Sequence, residues 1–456
     1  MGGQPVGRSD GRTWTSAEVA AALGVPSPTE ATFGAVSTDT RHITPGDLFV
    51  ALTGERFDAH DFLPAAREQG AGAAVVRAGT PPVPGLPYFA VADPLAALGL
   101  LARARRRRMP AGSPVIAVTG SSGKTSTKEM IRAALAPKFR VHATAGNLNN
   151  LVGVPLTILA APADAGALVV EAGANLPGEI ARLRAIIEPT IGVITNVGYA
   201  HTAGFGSLAG VMREKLSLLD GVPAAVVGTE PPELAAEARA RARTVVAGTA
   251  PGADLRPHAA TLDDAGRPTI RWSGASVTVP VVGFHQIENA CIALAVAREA
   301  GVPGADALRG LADVRVPEGR GAVREVAGLT VIDDSYNANP ASLARAVEFA
   351  HWLAGRRGRP LAIVVGTMLE LGPESDRLHA AAAAQIAGLQ PALVAAVGAF
   401  GPAFGPFRQV LGNRLLVADD AEALGPRLKA ALRGNEIVLL KGSRGVALER
   451  VLRHLN

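Results

Sequence analysis

The chain has 456 residues, 48% hydrophobic and 19% charged, a balance that excludes a disordered chain and suits two to four domains. Its single cysteine, Cys291, excludes an internal disulfide, and no apolar run reaches the roughly 18–20 residues of a membrane span. The net charge of +5 raises nucleic acid as a partner, but the most basic run, Arg103 to Arg108, has no interleaved aromatics to stack on bases and reads as a solvated or interdomain face.

Met1 to Arg12 is polar and Gly-rich, expected to be frayed and unlike a signal peptide. Thr15 to Leu23 reads as a short helix, Leu48 to Leu52 and Ala73 to Val76 as strands, Pro81 to Pro87 as a loop, and Pro94 to Arg108 as a helix. Met109-Pro110-Ala111-Gly112-Ser113-Pro114 reads as a linker. Continuous apolar runs follow at Val115 to Val118, Ala167 to Val170, Ile191 to Ile194 and Ala224 to Val227. Such runs suit strands buried on both faces, so a parallel sheet with crossover helices is expected up to about residue 316. Cys291 falls in Ala290 to Leu294, read as a buried helix in which the thiol is a small core hydrophobe. After the turn Pro317-Glu318-Gly319 come candidate strands at Thr330 to Ile332, Leu361 to Val365, Leu393 to Val397, Leu415 to Val417 and Ile437 to Leu440, the pattern of a doubly wound domain.

The strongest local signal is Val118-Thr119-Gly120-Ser121-Ser122-Gly123-Lys124-Thr125. An apolar strand ends, a small-residue turn follows, and a helix begins at about Lys124. Backbone N–H groups of Gly120, Ser121, Ser122 and Gly123 can close around phosphate oxygens, aided by the helix dipole. Lys124 can reach the β- and γ-phosphates of ATP, and Thr125 can ligate Mg²⁺. Val118 stands where the general pattern has a glycine. A chance turn before a helix is the bland alternative, and the Gly-Lys-Thr triplet in strand–turn–helix context weighs against it. Alone, the loop does not separate ligase from kinase, motor or transporter ATPase.

Three further positions join it. Glu171 ends the next apolar strand, at the sheet edge where ligands gather, and could hold Mg²⁺; the alternative is a helix N-terminal acid. His201 follows the strand at Ile194, and Lys215 sits in a helical stretch. Either alone would ordinarily be a surface residue.

Together these segments resemble the Mur ligase family over nearly the whole chain from about residue 33. Ser37-Thr38-Asp39-Thr40-Arg41, Pro45 to Glu55, Asp58 and His60 look like the family's uridine-nucleotide segment, which implies precursor contacts for Ser37, Asp39 and Arg41. Gly146-Asn147-Leu148-Asn149-Asn150 and Gly153-Val154-Pro155 are similar to its substrate loop, implying Thr144, Asn147, Asn149 and Asn150 as precursor-binding. The order Glu171, His201, Lys215 implies a second Mg²⁺ near Glu171 and His201, and carbamylation of Lys215 to N6-carboxylysine. Thr125, Glu171, His201 and modified Lys215 are then the metal ligands, and Lys124, Glu171, His201 and Lys215 the catalytic residues. The flanks of Lys215 depart from the family's usual residues. Gly283 to Asn289 looks like the adenine-side segment, with Asn289 the contact and Gln286 where Asn is more usual. Gly319-Arg320 looks like the ATP-contacting arginine.

Asp333-Asp334-Ser335-Tyr336-Asn337-Ala338-Asn339-Pro340 resembles the branch of the family that adds D-alanyl-D-alanine. There Asp334 would meet the nucleotide, and Tyr336, Asn337 and Asn339 would border nucleotide and dipeptide. Met368-Leu369-Glu370-Leu371-Gly372, after Thr367 in place of the usual Asp, fits the same branch, and Lys441-Gly442-Ser443-Arg444 is similar to the family's closing motif.

The expected class is α/β with three domains: a small N-terminal α/β domain (1–110) for the UDP-precursor, a central P-loop-type parallel-sheet ATPase domain (111–316), and a C-terminal Rossmann-like domain (317–456) for the dipeptide and part of ATP. The resemblance implies a cytoplasmic, monomeric ligase in peptidoglycan synthesis. It would use ATP and two Mg²⁺ to join D-alanyl-D-alanine to UDP-N-acetylmuramoyl-tripeptide, with no nucleic-acid partner and no membrane insertion. Another Mur-type amino-acid ligase, a P-loop ATPase driving a partner, and a catalytically inactive binding module are the alternatives.

Overall fold

Strands form where apolar residues run without alternation: Val115–Thr119, Ala167–Glu171, Ile191–Ile194 and Ala224–Val227 are buried at every position. The computed structural model describes residues 13–54 and 57–455. Met1 to Arg12, and Glu55 of the nucleotide-like segment, lie outside the described residues. The chain divides into two compact units, the first comprising Met1–Ala117, Phe139–Ala174 and Gly178–Thr190 and the second the rest. Strand Val115–Thr119 is shared between them at Ala117.

In the first unit, Val36–Ser37, Leu48–Val50, Ala73–Arg77 and Tyr88–Val91 form a parallel four-stranded sheet in that order. Phe49, Leu63, Ala74 and Val76 share the core beneath it. Helix Ser16–Leu23 opens with a reciprocal Thr15–Glu18 capping box and stops at Gly24 in the left-handed region. Helix Pro94–Arg106 packs on helices Gly153–Leu159 and Glu179–Ile187. Its basic end is more engaged than a solvated face. Arg105 donates to the Ala161 carbonyl (2.6 Å), Arg106 to the Ile187 and Glu188 carbonyls (3.2 and 2.8 Å), Arg107 pairs with Glu188, and Arg108 lies 3.9 Å over the Trp14 ring. The run staples a helix end to its neighbours.

In the second unit, Ile191–Ile194, Ala224–Val227 and Arg243–Val246 pair in parallel. Helices Lys124–Leu135 and His285–Glu299 pack against each other. Cys291 is buried in the latter, where burial pushes its thiol above the ordinary range. An antiparallel sheet, Ala259–Leu262, Pro268–Trp272 and Ala275–Thr278, corrects the expectation of parallel pairing throughout this stretch. Its strands are short and half-exposed, so no continuous apolar run announced them.

The last sheet has the order Ala322–Val326, Leu329–Asp334, Ile437–Lys441, Leu361–Gly366, Leu393–Val397, Leu415–Ala418. Its first strand is antiparallel and the others are parallel. Neighbouring strand residues enter different cores, Ile332 and Ile363 with Phe349 and Phe400, Val331 and Val364 with Leu424 and Val451. The sheet is therefore covered on both faces, as the doubly wound reading requires. Among the described residues no helix is long and apolar enough to cross a membrane.

Candidate active site

The phosphate loop is defined by its two glycines. Gly120 has φ 152°, and a Cβ there would lie 1.9 Å from Thr195 Oγ1. Gly123, at φ 78°, caps helix Lys124–Leu135, and a Cβ there would lie 2.8 Å from Asn289 Oδ1. Val118 departs from the general pattern at no cost, because at that point the chain is still buried strand.

The next strand's polar tail holds the loop. Ser121 N–H donates to the Asn196 carbonyl (3.0 Å), and Asn196 Oδ1 accepts from Ser122 N–H (3.0 Å). Thr195 Oγ1 donates to the Ser122 carbonyl (2.6 Å), and Ser121 Oγ donates to the Gly198 carbonyl (2.9 Å). Lys124 Nζ donates to the Gly120 carbonyl at 2.8 Å, and Thr125 is buried. Nothing in the sequence alone gives Thr195 and Asn196 a role. Two polar residues closing an apolar strand were the available signal.

Lys215 lies in helix Leu208–Leu216, begun by the Ser207 cap, and is 1% exposed. Burial, then the positive charge of Lys124, push its amine down to about 7 from an ordinary 10.5, with Glu214 opposing. His201 takes φ 55°, and its Nδ1 contacts a Glu370 carboxylate oxygen as an ion-pair contact without hydrogen-bond alignment. Glu370 is itself left-handed, at φ 65°. Such conformations cost about 1–3 kcal/mol each in non-glycine residues and gather at functional sites.

The segment bearing Glu370 is tied at each step. Met368 N–H donates to His379 Nε2 (2.9 Å), Leu369 N–H to Ser443 Oγ (2.9 Å), Ala203 N–H to the Glu370 carbonyl (3.0 Å) and Thr202 Oγ1 to the Leu371 carbonyl (3.0 Å). Thr367 Oγ1 accepts from Ala399 N–H (2.9 Å), an acceptor's role that explains why it can stand where Asp is usual. The His201 imidazole, with help from Lys124, holds the Glu370 carboxyl below its ordinary range. Glu370 stands in the Met368 to Gly372 motif, where the sequence alone gives it no role.

Asp334 meets Lys441 across the ends of adjacent parallel strands. Burial pushes the Asp334 carboxyl up, against the pull of Lys441 and Arg320. The Arg320 guanidinium lies 4.0 Å over the Tyr336 ring, and its buried Nε has no hydrogen-bond partner among the described residues. A buried, unpartnered guanidinium nitrogen suits a phosphate ligand. Arg444 also lies over Tyr336, at 5.6 Å. His285 is driven down to about 3 by burial and then by the charges of Arg345 and Lys441. Gln286 Oε1 accepts from Asn289 Nδ2 (2.9 Å), so this departure from the family pattern orients the adenine-side asparagine. Exposed Asn337 accepts its neighbour's N–H at Ala338 (2.9 Å), and Asn339 Nδ2 donates to the Ser121 carbonyl (3.2 Å). The second unit thus brings together the phosphate loop, Asn289, His201 with Glu370, Lys215 and the Asp334–Asn339 motif.

In the first unit, Glu171 is 2% exposed and is met by two expected substrate residues. Its N–H donates to Thr144 Oγ1 (2.9 Å), and Asn149 Nδ2 donates to its Oε1 (2.8 Å). It ends a strand, and the next helix starts only at Glu179, so it is not a helix N-terminal acid. The Asn147 carbonyl accepts from Asn149 N–H (2.8 Å). Asn150 Oδ1 accepts from Val152 and Gly153 N–H (3.1 and 2.8 Å), a local cap. Ser37 Oγ donates to the Asp39 carbonyl (3.0 Å), and Asp39 grips Arg41 through Nε and Nη2 (2.9 and 2.7 Å), which lowers its carboxyl. Asp58 pairs with His60 Nδ1 (2.5 Å), whose Nε2 accepts from Arg77 N–H (3.0 Å). These last contacts are structural as well as binding candidates.

Among the described residues no group of three or more His, Cys, Asp or Glu side chains could hold a metal ion. The donor chemistry is mixed instead. In the second unit Thr125 offers an oxygen of the kind Mg²⁺ prefers, and Lys215 offers one only once its amine becomes a carbamate; in the first unit Glu171 offers a carboxylate.

Three family models match: Mur ligase family, catalytic domain, over residues 32–106; Mur ligase middle domain over 118–297; and Mur ligase, glutamate ligase domain, over 319–444. The chain is 38% identical over 439 residues to UDP-N-acetylmuramoyl-tripeptide--D-alanyl-D-alanine ligase of Escherichia coli (strain K12), covering 93% of this chain and 94% of that one. MurF from Acinetobacter baumannii matches with a TM-score of 0.87 and 30% identity, covering 97% of this chain and 98% of that one. MurF ligase from Thermotoga maritima in complex with ADP matches with a TM-score of 0.81 and 29% identity, covering 92% and 96%. The three-domain α/β architecture with parallel sheets is shared with these structures. By its three matched domains, its fold and its identity over nearly the full length, the chain belongs to the Mur ligase family.

Proposed function

We propose that the chain joins D-alanyl-D-alanine to the terminal carboxylate of UDP-N-acetylmuramoyl-tripeptide, using ATP, in peptidoglycan precursor synthesis. One observation carries the reading. The phosphate loop is bonded to Asn339 of the very motif that marks the dipeptide-adding branch, in a chain 38% identical to a ligase of that name. ATP use is supported by the ADP-bound Thermotoga maritima neighbour. Residues 1–110 bind the precursor through Ser37, Asp39 and Arg41, joined by Thr144, Asn147, Asn149 and Asn150 of the following domain. Residues 111–316 bind ATP, and 317–456 bind the dipeptide near Tyr336 and Asn337 and complete the ATP site with Arg320 and Asp334. The enzyme acts in the cytoplasm as a monomer.

The precursor carboxylate attacks the γ-phosphorus, ADP leaves, and an acyl phosphate forms. The dipeptide amine then attacks the acyl carbon and expels phosphate. The first step brings two anions together. The backbone N–H groups of Gly120–Gly123, Lys124 and Arg320 offset that repulsion. Mg²⁺, held by Thr125, Glu171, His201 and Lys215, would neutralise phosphate charge when bound. Lys215 can serve only as a carbamate. A neutral amine adds CO₂ and releases one proton, and an amine with a pKa of about 7 is largely neutral just above neutrality.

Phosphate release with ATP and the UDP-tripeptide tests the reading when the amine is varied. Release is expected with D-alanyl-D-alanine, and at least 100-fold less with diaminopimelate, lysine or glutamate. Equal release with any of these, or release stimulated only by a protein or nucleic acid, would assign another activity.

A further inference from the structure

One contact of Asn339 goes beyond the binding of a substrate. Its side chain is 8% exposed and both its ends are committed. Oδ1 accepts from Ser342 N–H (2.9 Å) as the cap of helix Pro340–Arg357, and Ser342 Oγ accepts from Asn339 N–H in return (3.0 Å). A capping atom must be an acceptor, so the amide orientation is fixed and the nitrogen faces the Ser121 carbonyl. The Ser121–Ser122 peptide is planar, and its opposite side is held by Asn196 Oδ1, which accepts from Ser122 N–H (3.0 Å). Two asparagines therefore clamp one peptide plane of the phosphate loop, Asn196 from the strand beside it and Asn339 from the third domain.

We propose that Asn339 is a positioning residue, setting the Ser121–Ser122 peptide for phosphoryl transfer rather than binding the dipeptide. The proposal rests on the ligase reading above. Only one N–H of its side chain is left for a ligand, too little for a dipeptide with an amine at one end and a carboxylate at the other. The link also makes phosphate-loop geometry depend on the third domain's helix, so the loop is complete only when that domain is in place.

The chemistry separates the two roles, because acyl phosphate forms before the dipeptide reacts. Asn339→Ser and Asn339→Asp both retain an oxygen able to cap the helix. Serine is too short to reach Ser121, and aspartate turns an acceptor toward its carbonyl. ADP formed from ATP and UDP-tripeptide without dipeptide, with hydroxylamine trapping the acyl phosphate, is expected to slow about 10–100-fold in both variants. The KM for D-alanyl-D-alanine is expected to stay within about threefold, since the helix N-terminus is kept. Ser342→Ala weakens the cap without touching the link, and should leave the half-reaction within about threefold. A normal half-reaction with a raised dipeptide KM would make Asn339 a dipeptide ligand, and normal values for both would make it a bystander. An equal slowing by Ser342→Ala would assign the effect to the cap. Each of these three results overturns the proposal. Wild-type enzyme that forms no acyl phosphate would instead overturn the ligase reading.

Discussion

Lys215 shows how much a single buried cation can constrain. Its amine falls to about 7 in the folded chain against an ordinary 10.5. Between those values the unfolded chain binds a proton that the folded chain does not, so stability rises with pH across this window. The cost of burying the ammonium is fully present below pH 7 and gone above 10.5. In CO₂-free buffer, Lys215→Met should therefore raise the Tm at pH 6, with the gain shrinking toward pH 10, while activity is lost at every pH. A Tm that falls equally at both pH values would show that the ammonium is not a burden in the fold. The sequence offered Lys215 only by resemblance, because an isolated lysine on a helix is ordinarily solvated. Asn196, Glu370 and the Ser121 contact of Asn339 were less legible still, since each depends on a partner far along the chain.

At the scale of elements, apolar runs were the readable part. Strands at 115–119, 167–171, 191–194 and 224–227 lie where unbroken hydrophobic residues predicted them, because strands covered on both faces need no polar alternation. The antiparallel strands at 259–278 were not readable, because half-exposed residues and frequent turns leave no such signature. The loop after Leu361–Gly366 was legible as a motif but not as a joint, although it meets His201 and carries Glu370 in a left-handed conformation. Glycine adopts that conformation without the steric penalty of a Cβ. Glu370→Gly should therefore be more stable than Glu370→Ala by about 1 kcal/mol in chemical denaturation. Both variants should lose at least tenfold in turnover, because each lacks the carboxylate beside His201. Equal stability of the two would argue against backbone strain at this position, and wild-type turnover would remove Glu370 from the site.

For the whole molecule, part of the arginine run 103–108 is engaged with helix-end carbonyls and Glu188, and a net charge of +5 suits the pair of anionic reactants in the proposed reaction. Three family domains are matched along the chain, and the proposed chemistry requires that water be kept from the acyl phosphate until the amine arrives. On this mechanism ATP activates the precursor's carboxylate before the amide bond forms. Labelling both oxygens of that carboxylate with ¹⁸O, and examining the phosphate released during turnover with D-alanyl-D-alanine, follows that activation atom by atom. Each released phosphate should carry one ¹⁸O; unlabelled phosphate would show that the carboxylate was never phosphorylated.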